Sequence, residues 1–106
     1  LRADVADTLT AGFAHQNHVL SGTSVTPDFQ DSNFFAYTMV ANGTVNNPTN
    51  NGVGTWVMKV TGNFTLTLGS AYRVMVGAYD GAAAANIITF ISDGTNIYTY
   101  IDTDPN

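Results

Sequence analysis

The histidines and aspartates are the side chains of this sequence with the most obvious capacity for chemistry. His15 and His18 are three residues apart in the motif HQNH, so on a helix they would share a face and could bind a transition metal. The chain has no cysteine and no glutamate to join them, and a zinc site needs further ligands at suitable spacing. The pattern therefore favours a polar surface or interface pair and predicts no metal site.

The aspartates also lack a catalytic pattern. A glycosidase holds two carboxyl groups across a sugar and raises the pKa of one of them. Asp80 and Asp93 each precede a glycine, which is typical of turns, whereas Asp102 and Asp104 lie in the polar C-terminal tail. No serine lies in a nucleophile motif of the GxSxG kind. We expect a non-enzymatic protein with no catalytic residue and no cofactor.

Net charge excludes two classes of partner. Charged residues make up 10% of the chain, the formal charge is −5, and the basic residues are Arg2, Lys59 and Arg73. Three dispersed cations form no basic patch, so nucleic acid and an anionic membrane surface are both disfavoured. No apolar run is long enough to insert into a membrane.

Composition indicates an all-β domain that gains stability by oligomerisation. Threonine, asparagine and glycine are abundant, and they suit strands and turns better than helices. A small extracellular domain without disulfides often obtains stability from subunit contacts.

The pattern along the chain divides it into two parts. Residues 1–22 are predicted to be a connector or stem, in which Val5, Leu9 and Phe13 are candidates for a subunit interface. Residues 23–106 are predicted to form one β-domain, because short apolar runs alternate there with turn residues.

One predicted strand, residues 33–41, is apolar on both faces. A strand with one wet face would alternate apolar and polar residues, so this one is expected to be buried on both sides. The second side would lie inside a sandwich or against another subunit, and we assign Phe35 and Tyr37 to a subunit interface.

Two hairpins are predicted. Residues 55–61 and 64–68 flank Gly62-Asn63, and residues 86–92 and 95–101 flank Asp93-Gly94. With a further strand at 72–76, the pattern predicts an antiparallel β-sandwich or small barrel of about six to seven strands. No internal repeat at a fixed period is visible.

Two loops are the best candidates for recognition, residues 42–54 and 77–85, because loops on a rigid β-scaffold commonly carry binding. Trp56 is expected in the core, since Met58 and Val60 share its face. Tyr98 and Tyr100 are expected at a subunit interface or on an outer surface. The candidate receptor-binding residues are Asn46, Asn47, Asn50, Asn51, Tyr79 and Asp80.

An ordered set of segments resembles the C-terminal domains of bacteriophage tail-fibre, spike and related virion proteins. These segments are the aromatic strand and Asn-Gly-Thr at 34–44, Asn-Pro-Thr-Asn at 47–50, Gly-Thr-Trp-Val at 54–57, the stretch at 65–72, and the closing hairpin at 86–98. Residues 1–13 are similar to the connector that often precedes such a domain. The small-residue loop Ala82–Ala85 departs from the commoner pattern, which puts any specific receptor in doubt.

The resemblance implies a homotrimer on the virion surface that contacts other virion proteins and a host-surface glycan or protein. Two alternatives remain open: a capsid decoration or head-fibre protein, and a cellular carbohydrate-binding module or adhesin domain. A hydrolase is the least favoured interpretation.

Overall fold

The computed structural model describes residues 17–104, and this part of the chain contains nine β-strands and no helix. The strands are β1 (Asn17–Leu20), β2 (Ser24–Val25), β3 (Phe34–Thr38), β4 (Gly43–Val45), β5 (Val53–Thr61), β6 (Leu66–Leu68), β7 (Tyr72–Val76), β8 (Ala85–Asp93) and β9 (Ile97–Asp104). They form a six-stranded sheet in the order β1-β3-β5-β8-β9-β7 and a three-stranded sheet in the order β2-β4-β6.

The first six strands, residues 17–68, form a solenoid-like coil. The chain passes from one sheet to the other and back, so β1, β3 and β5 are parallel neighbours in one sheet and β2, β4 and β6 are parallel neighbours in the other. Phe34 lies 17 residues after its partner Asn17, and Val57 lies 23 residues after Phe34. Because the turns of the coil differ in length, no fixed period is visible in the sequence.

The last three strands complete the larger sheet in a different way. β8 is antiparallel to both β5 and β9, whereas β7 pairs in parallel with β9 at the sheet edge and carries a bulge at Met75. The β8–β9 hairpin therefore lies between the coil and β7.

The core lies between the two sheets. Phe35, Tyr37, Met58 and Val60 of the larger sheet are fully buried, as is Val45 of the smaller one. Phe29 stacks on Trp56 with ring centroids 4.2 Å apart, and the Trp56 indole N–H donates to the Phe29 carbonyl at 2.8 Å. Among the described residues, no buried side-chain nitrogen or oxygen lacks a hydrogen-bond partner.

The predicted all-β class is confirmed, but the antiparallel sandwich or barrel is not what forms. Five of the seven strand pairings are parallel, and the arrangement is solenoid-like. The hairpin predicted around Gly62-Asn63 is wrong, because β5 and β6 belong to different sheets. Gly62 and Asn63 instead lie at a corner of the coil.

Three predicted boundaries also change. β1 lies within the segment assigned to a connector, so the larger sheet begins at Asn17 and not after residue 22. The predicted loop 42–54 contains β4, which leaves residues 46–52 as the connection to β5. The closing hairpin is confirmed. Asp93 still belongs to β8 and its N–H donates to the Asn96 carbonyl, so the residues between the two strands are Gly94, Thr95 and Asn96 rather than Asp93 and Gly94.

Candidate functional site

A polar cleft lies between residues 77–84 and the corner that joins β5 to β6. Its volume is about 520 Å³. The lining residues are Asn42, Asn63, Phe64, Thr65, Leu66, Tyr79, Gly81 and Ala82. We call this feature the corner cleft.

Tyr79 fixes one wall of the corner cleft. Its hydroxyl donates to the Phe64 carbonyl oxygen at 2.9 Å and lies 3.4 Å from the Met39 sulfur. Burial raises the pKa of the Tyr79 hydroxyl, and the charge of Asp80 and the neighbouring Tyr37 raise it further. Tyr79 is therefore a neutral donor at physiological pH and connects the loop to the opposite wall.

Buried Asn86 holds the loop that carries Tyr79. The Asn86 side chain is 1% exposed. Its amide oxygen accepts the Asp80 N–H, and its amide nitrogen donates to the Asp80 carbonyl, both at 2.9 Å. The Asp80 carboxylate accepts the Ala82 N–H at 2.9 Å, which is the turn-forming role predicted for it.

The opposite wall presents unused polar groups. The Asn42 side-chain oxygen accepts the Thr65 N–H at 2.9 Å, which leaves the Asn42 amide nitrogen free to donate. Asn63 and the Thr65 hydroxyl are exposed and have no hydrogen-bond partner within residues 17–104. This wall can thus exchange hydrogen bonds with a ligand without breaking a bond of the fold.

Gly81 allows the loop to approach this wall closely. A Cβ atom at Gly81 would lie 2.7 Å from the Phe64 carbonyl oxygen. Since that oxygen belongs to the backbone, any larger residue would push the loop away from the corner.

The predicted receptor-binding asparagines lie outside the corner cleft. Two of them hold the coil together, and a third joins it to the segment that follows β6. Asn46 donates to Ser24 and Thr26, Asn47 accepts the Ala71 N–H, and Asn50 donates to the Asp28 carboxylate. Asn51 is half-buried in the same connection, and its side chain makes no hydrogen bond within residues 17–104. Of the six predicted residues, Tyr79 lines the cleft and Asp80 shapes it.

The predicted subunit-interface residues separate into three groups. Phe35 and Tyr37 are fully buried in the chain's own core, because parallel strands flank β3 and the smaller sheet covers it, so their assignment to an interface is wrong. Tyr98 and Tyr100 are half-buried on the opposite side of the larger sheet. Val5, Leu9 and Phe13 lie outside the described residues.

We call the side of the larger sheet that faces away from the core the outer face, and its central row is largely apolar. Its central row runs across the sheet through five paired strands. The residues of this row are Phe34, Val57, Thr89, Tyr100 and Val76. One flanking row contains Thr55, Ile91, Tyr98 and Arg73, and the other contains Ala36, Lys59, Ile87 and Asp102.

Only one residue of the histidine pair, His18, lies within the described residues. The His18 ring lies edge-on to Phe35 with centroids 5.7 Å apart, and His15 lies outside the described residues. Within residues 17–104, no group of three or more His, Cys, Asp or Glu side chains could hold a metal ion.

Sequence reasoning missed most of the corner cleft. Asn42 and Asn63 lie at two corners of the coil and Gly81 lies between β7 and β8, so only the tertiary structure brings them together. One available signal was that Asn42 and Asn63 each begin an Asn-x-Thr sequence at an equivalent corner of consecutive turns.

No helix long and apolar enough to cross a membrane occurs in the part of the chain that the structure describes. In comparisons with known proteins, no family model, no curated protein and no solved structure matches the chain.

Proposed function

We propose that this chain is a structural, non-enzymatic domain of a bacteriophage tail fibre or spike. It assembles as a homotrimer on the virion surface, joins other virion proteins and contributes to host-surface recognition. The observation that supports this proposal best is the largely apolar central row of the outer face, which is partly exposed to solvent in the described part of the chain.

The outer face has the composition of an interface. Ile91 is 42% exposed and Val76 is 60% exposed, and half-buried Phe34, Val57 and Tyr100 lie on the same surface. Contiguous exposed apolar patches mark interaction sites in soluble proteins, and aromatic residues are enriched at interface cores. A second copy of the chain would remove this surface from water.

The β7 edge supports the same conclusion. Val74, Met75 and Val76 are 48%, 54% and 60% exposed, and among the strands of residues 17–104 β7 pairs with β9 alone. An apolar edge strand with unpaired backbone groups invites association, which natural proteins block or use for assembly. Here a neighbouring subunit would cover the edge.

The charges of the outer face are compatible with rotational assembly. Lys59 and Asp102 lie in one row, separated by Ile87 of β8. In a closed ring, one surface of each copy meets a different surface of the next, so a cation and an anion on the same face can pair between copies. Three copies is the number that the resemblance to fibre proteins implies.

Light scattering coupled to size exclusion tests the assembly. We expect a mass three times the 11.2 kDa of the chain at micromolar concentration. Tyr100→Asp, which places a charge in the centre of the outer face, should yield folded monomers. The matched control Thr67→Asp adds the same charge to an exposed position on β6 and should remain trimeric.

A folded wild-type monomer at micromolar concentration would overturn the trimer. It would instead favour the carbohydrate-binding module, a monomer whose outer face is left in water. Labelling of the chain on intact virions then separates a tail fibre from a head decoration.

A further inference from the structure

We infer that the corner cleft is a binding site for an uncharged saccharide. This inference rests on the proposed recognition role and not on the trimer, because every residue of the cleft comes from a single chain.

The available hydrogen-bonding groups fit sugar hydroxyls. The Asn42 amide nitrogen donates, the Asn63 amide both donates and accepts, and the Thr65 hydroxyl does both. A sugar hydroxyl is also both a donor and an acceptor, so each of these groups can satisfy it. Phe64 and Tyr79 supply apolar surface beside them for the carbon-bound hydrogens of the ring.

The charge of the site selects against ionised ligands. None of the eight lining residues carries a formal charge, and the Asp80 carboxylate lies next to the wall formed by Tyr79 and Gly81. The chain as a whole has a charge of −5. A sialylated or sulfated glycan would therefore meet repulsion without a compensating cation, whereas a neutral glycan would not.

The site is already formed before a ligand binds. Tyr79 is hydrogen-bonded to the backbone of the facing wall, and Asn86 holds the loop through two hydrogen bonds to Asp80. Little conformational entropy is lost when a rigid site binds, which favours a weak-binding class such as sugars. The volume of about 520 Å³ falls within the range of small-molecule sites.

The first experiment is a glycan array that contains neutral, sialylated and sulfated oligosaccharides. The chain should be produced in bacteria, because Asn42 and Asn63 both begin glycosylation sequons. We expect binding to at least one neutral glycan and none to its sialylated or sulfated derivatives. Preference for the anionic derivatives, or the absence of any neutral glycan among the ligands at millimolar concentration, would overturn the inference.

Nuclear magnetic resonance titration with the neutral glycan then locates the site. Backbone amide shifts should concentrate at residues 63–66 and 79–82. Shifts concentrated on the outer face, around Tyr98 and Tyr100, would place the sugar elsewhere and contradict the proposal.

A matched pair of variants tests the polar wall. Asn63→Ala removes an exposed side chain that makes no bond within the described fold, and we expect it to weaken binding about fivefold or more. Thr67→Ala removes an exposed threonine on β6 outside the lining, and its affinity should stay within about twofold of wild type. Equal affinity of the Asn63→Ala variant and wild type would contradict the assignment of the corner cleft as the saccharide site.

The two proposals fail separately. A monomer that binds a neutral glycan would support the saccharide site and contradict the proposed trimer. A trimer that binds no neutral glycan would support the proposed assembly and contradict the proposed saccharide site.

Discussion

The coil formed by β1 to β6 and the hairpin formed by β8 and β9 are held together at very different sequence separations. In the coil, several side-chain hydrogen bonds join residues 22 or 23 positions apart, as between Asn46 and Ser24 or between Thr65 and Asn42. At the hairpin turn, the Asp93 carboxylate accepts N–H groups only two and three positions away. The hairpin can therefore form locally, whereas each turn of the coil needs the next one in place.

The two regions nevertheless share one core. The Phe29 ring of the coil lies 6.2 Å from Phe35 and 5.8 Å from Phe90 of β8, and the Tyr72 ring lies 4.9 Å from Phe90. Local formation of the hairpin thus does not imply that it is stable alone. Four predictions test how far the two regions differ.

The largest effect is expected from Phe35→Ala. Phe35 is fully buried, and truncation of a buried phenylalanine typically lowers the free energy of unfolding by about 3–5 kcal/mol. Urea unfolding monitored by the single tryptophan, Trp56, reports on the coil, and amide hydrogen exchange in β8 and β9 reports on the hairpin. Both probes should report the same decrease in the free energy of unfolding. A hairpin that keeps its protection in this variant would show that the two regions unfold separately.

Asn46→Ala should have the next largest effect. It removes the hydrogen bonds from the Asn46 amide to the Ser24 and Thr26 hydroxyls at 2.8 and 3.1 Å. We expect the free energy of unfolding to fall by about 1–2 kcal/mol. The matched variant Asn96→Ala removes a single 3.4 Å contact with Arg73 at the hairpin, with an expected loss below about 0.5 kcal/mol. Equal losses in chemical denaturation would contradict the greater dependence of the coil on side-chain bonds.

Gly94→Ala tests the hairpin turn. Gly94 has φ +92°, which side-chain-bearing residues rarely adopt. We therefore expect Gly94→Ala to lower the free energy of unfolding by about 1 kcal/mol. The nearest atom to an added Cβ is the Val53 Cγ2 at 3.5 Å, so the cost comes from the backbone and not from a clash. Gly52→Ala is the control, since nothing lies within 4 Å of its Cβ and its φ is not positive. Thermal unfolding should show a lower midpoint for Gly94→Ala only.

The smallest effect concerns pH. Hydrogen bonds from Asn50 and the Gln30 N–H lower the pKa of Asp28 in the coil, and the N–H groups of Asn96 and Thr95 lower that of Asp93 in the hairpin. Both groups bind protons more weakly in the folded state than when unfolded. Their stabilisation is complete above the ordinary value of 3.8 and is lost as the pH falls through the lower folded-state values.

Because both carboxylates are exposed, the effect should be small and should weaken with added salt. The free energy of unfolding should be measured from neutral to acidic pH for wild type, Asp28→Asn and Asp93→Asn. Each variant should show a weaker pH dependence than wild type. An unchanged dependence in both would mean that other groups control acid unfolding.

The sequence predicted the parts of this protein whose signals are local. Alternation correctly placed Trp56, Met58 and Val60 in the core, and the Asp-Gly pair correctly predicted the closing hairpin. It also indicated that Tyr98 and Tyr100 lie on the side of β9 opposite Ile97 and Ile101. These inferences need only the twofold periodicity of a strand and the chemistry of a short turn.

The pairing of strands could not be obtained in the same way. Gly62-Asn63 is as good a turn signal as many hairpins have, yet it redirects the chain into the other sheet. A strand apolar on both faces was correctly recognised, but Phe35 and Tyr37 turn out to be covered by the chain's own smaller sheet and not by a subunit. Alternation states which side chains share a face and does not state what covers that face.

By itself, then, the sequence determined the β class, the inward side of β5 and the presence of the closing hairpin, since each depends on residues close together in the chain. Tertiary structure alone decided that the strands of the coil stack in parallel, that Asn46 and Asn50 hold the coil together, and that Asn42, Asn63 and Tyr79 surround one cleft. The physical reason is that these contacts join segments far apart in the chain and unequally spaced, so the partner of each residue depends on how the whole domain folds.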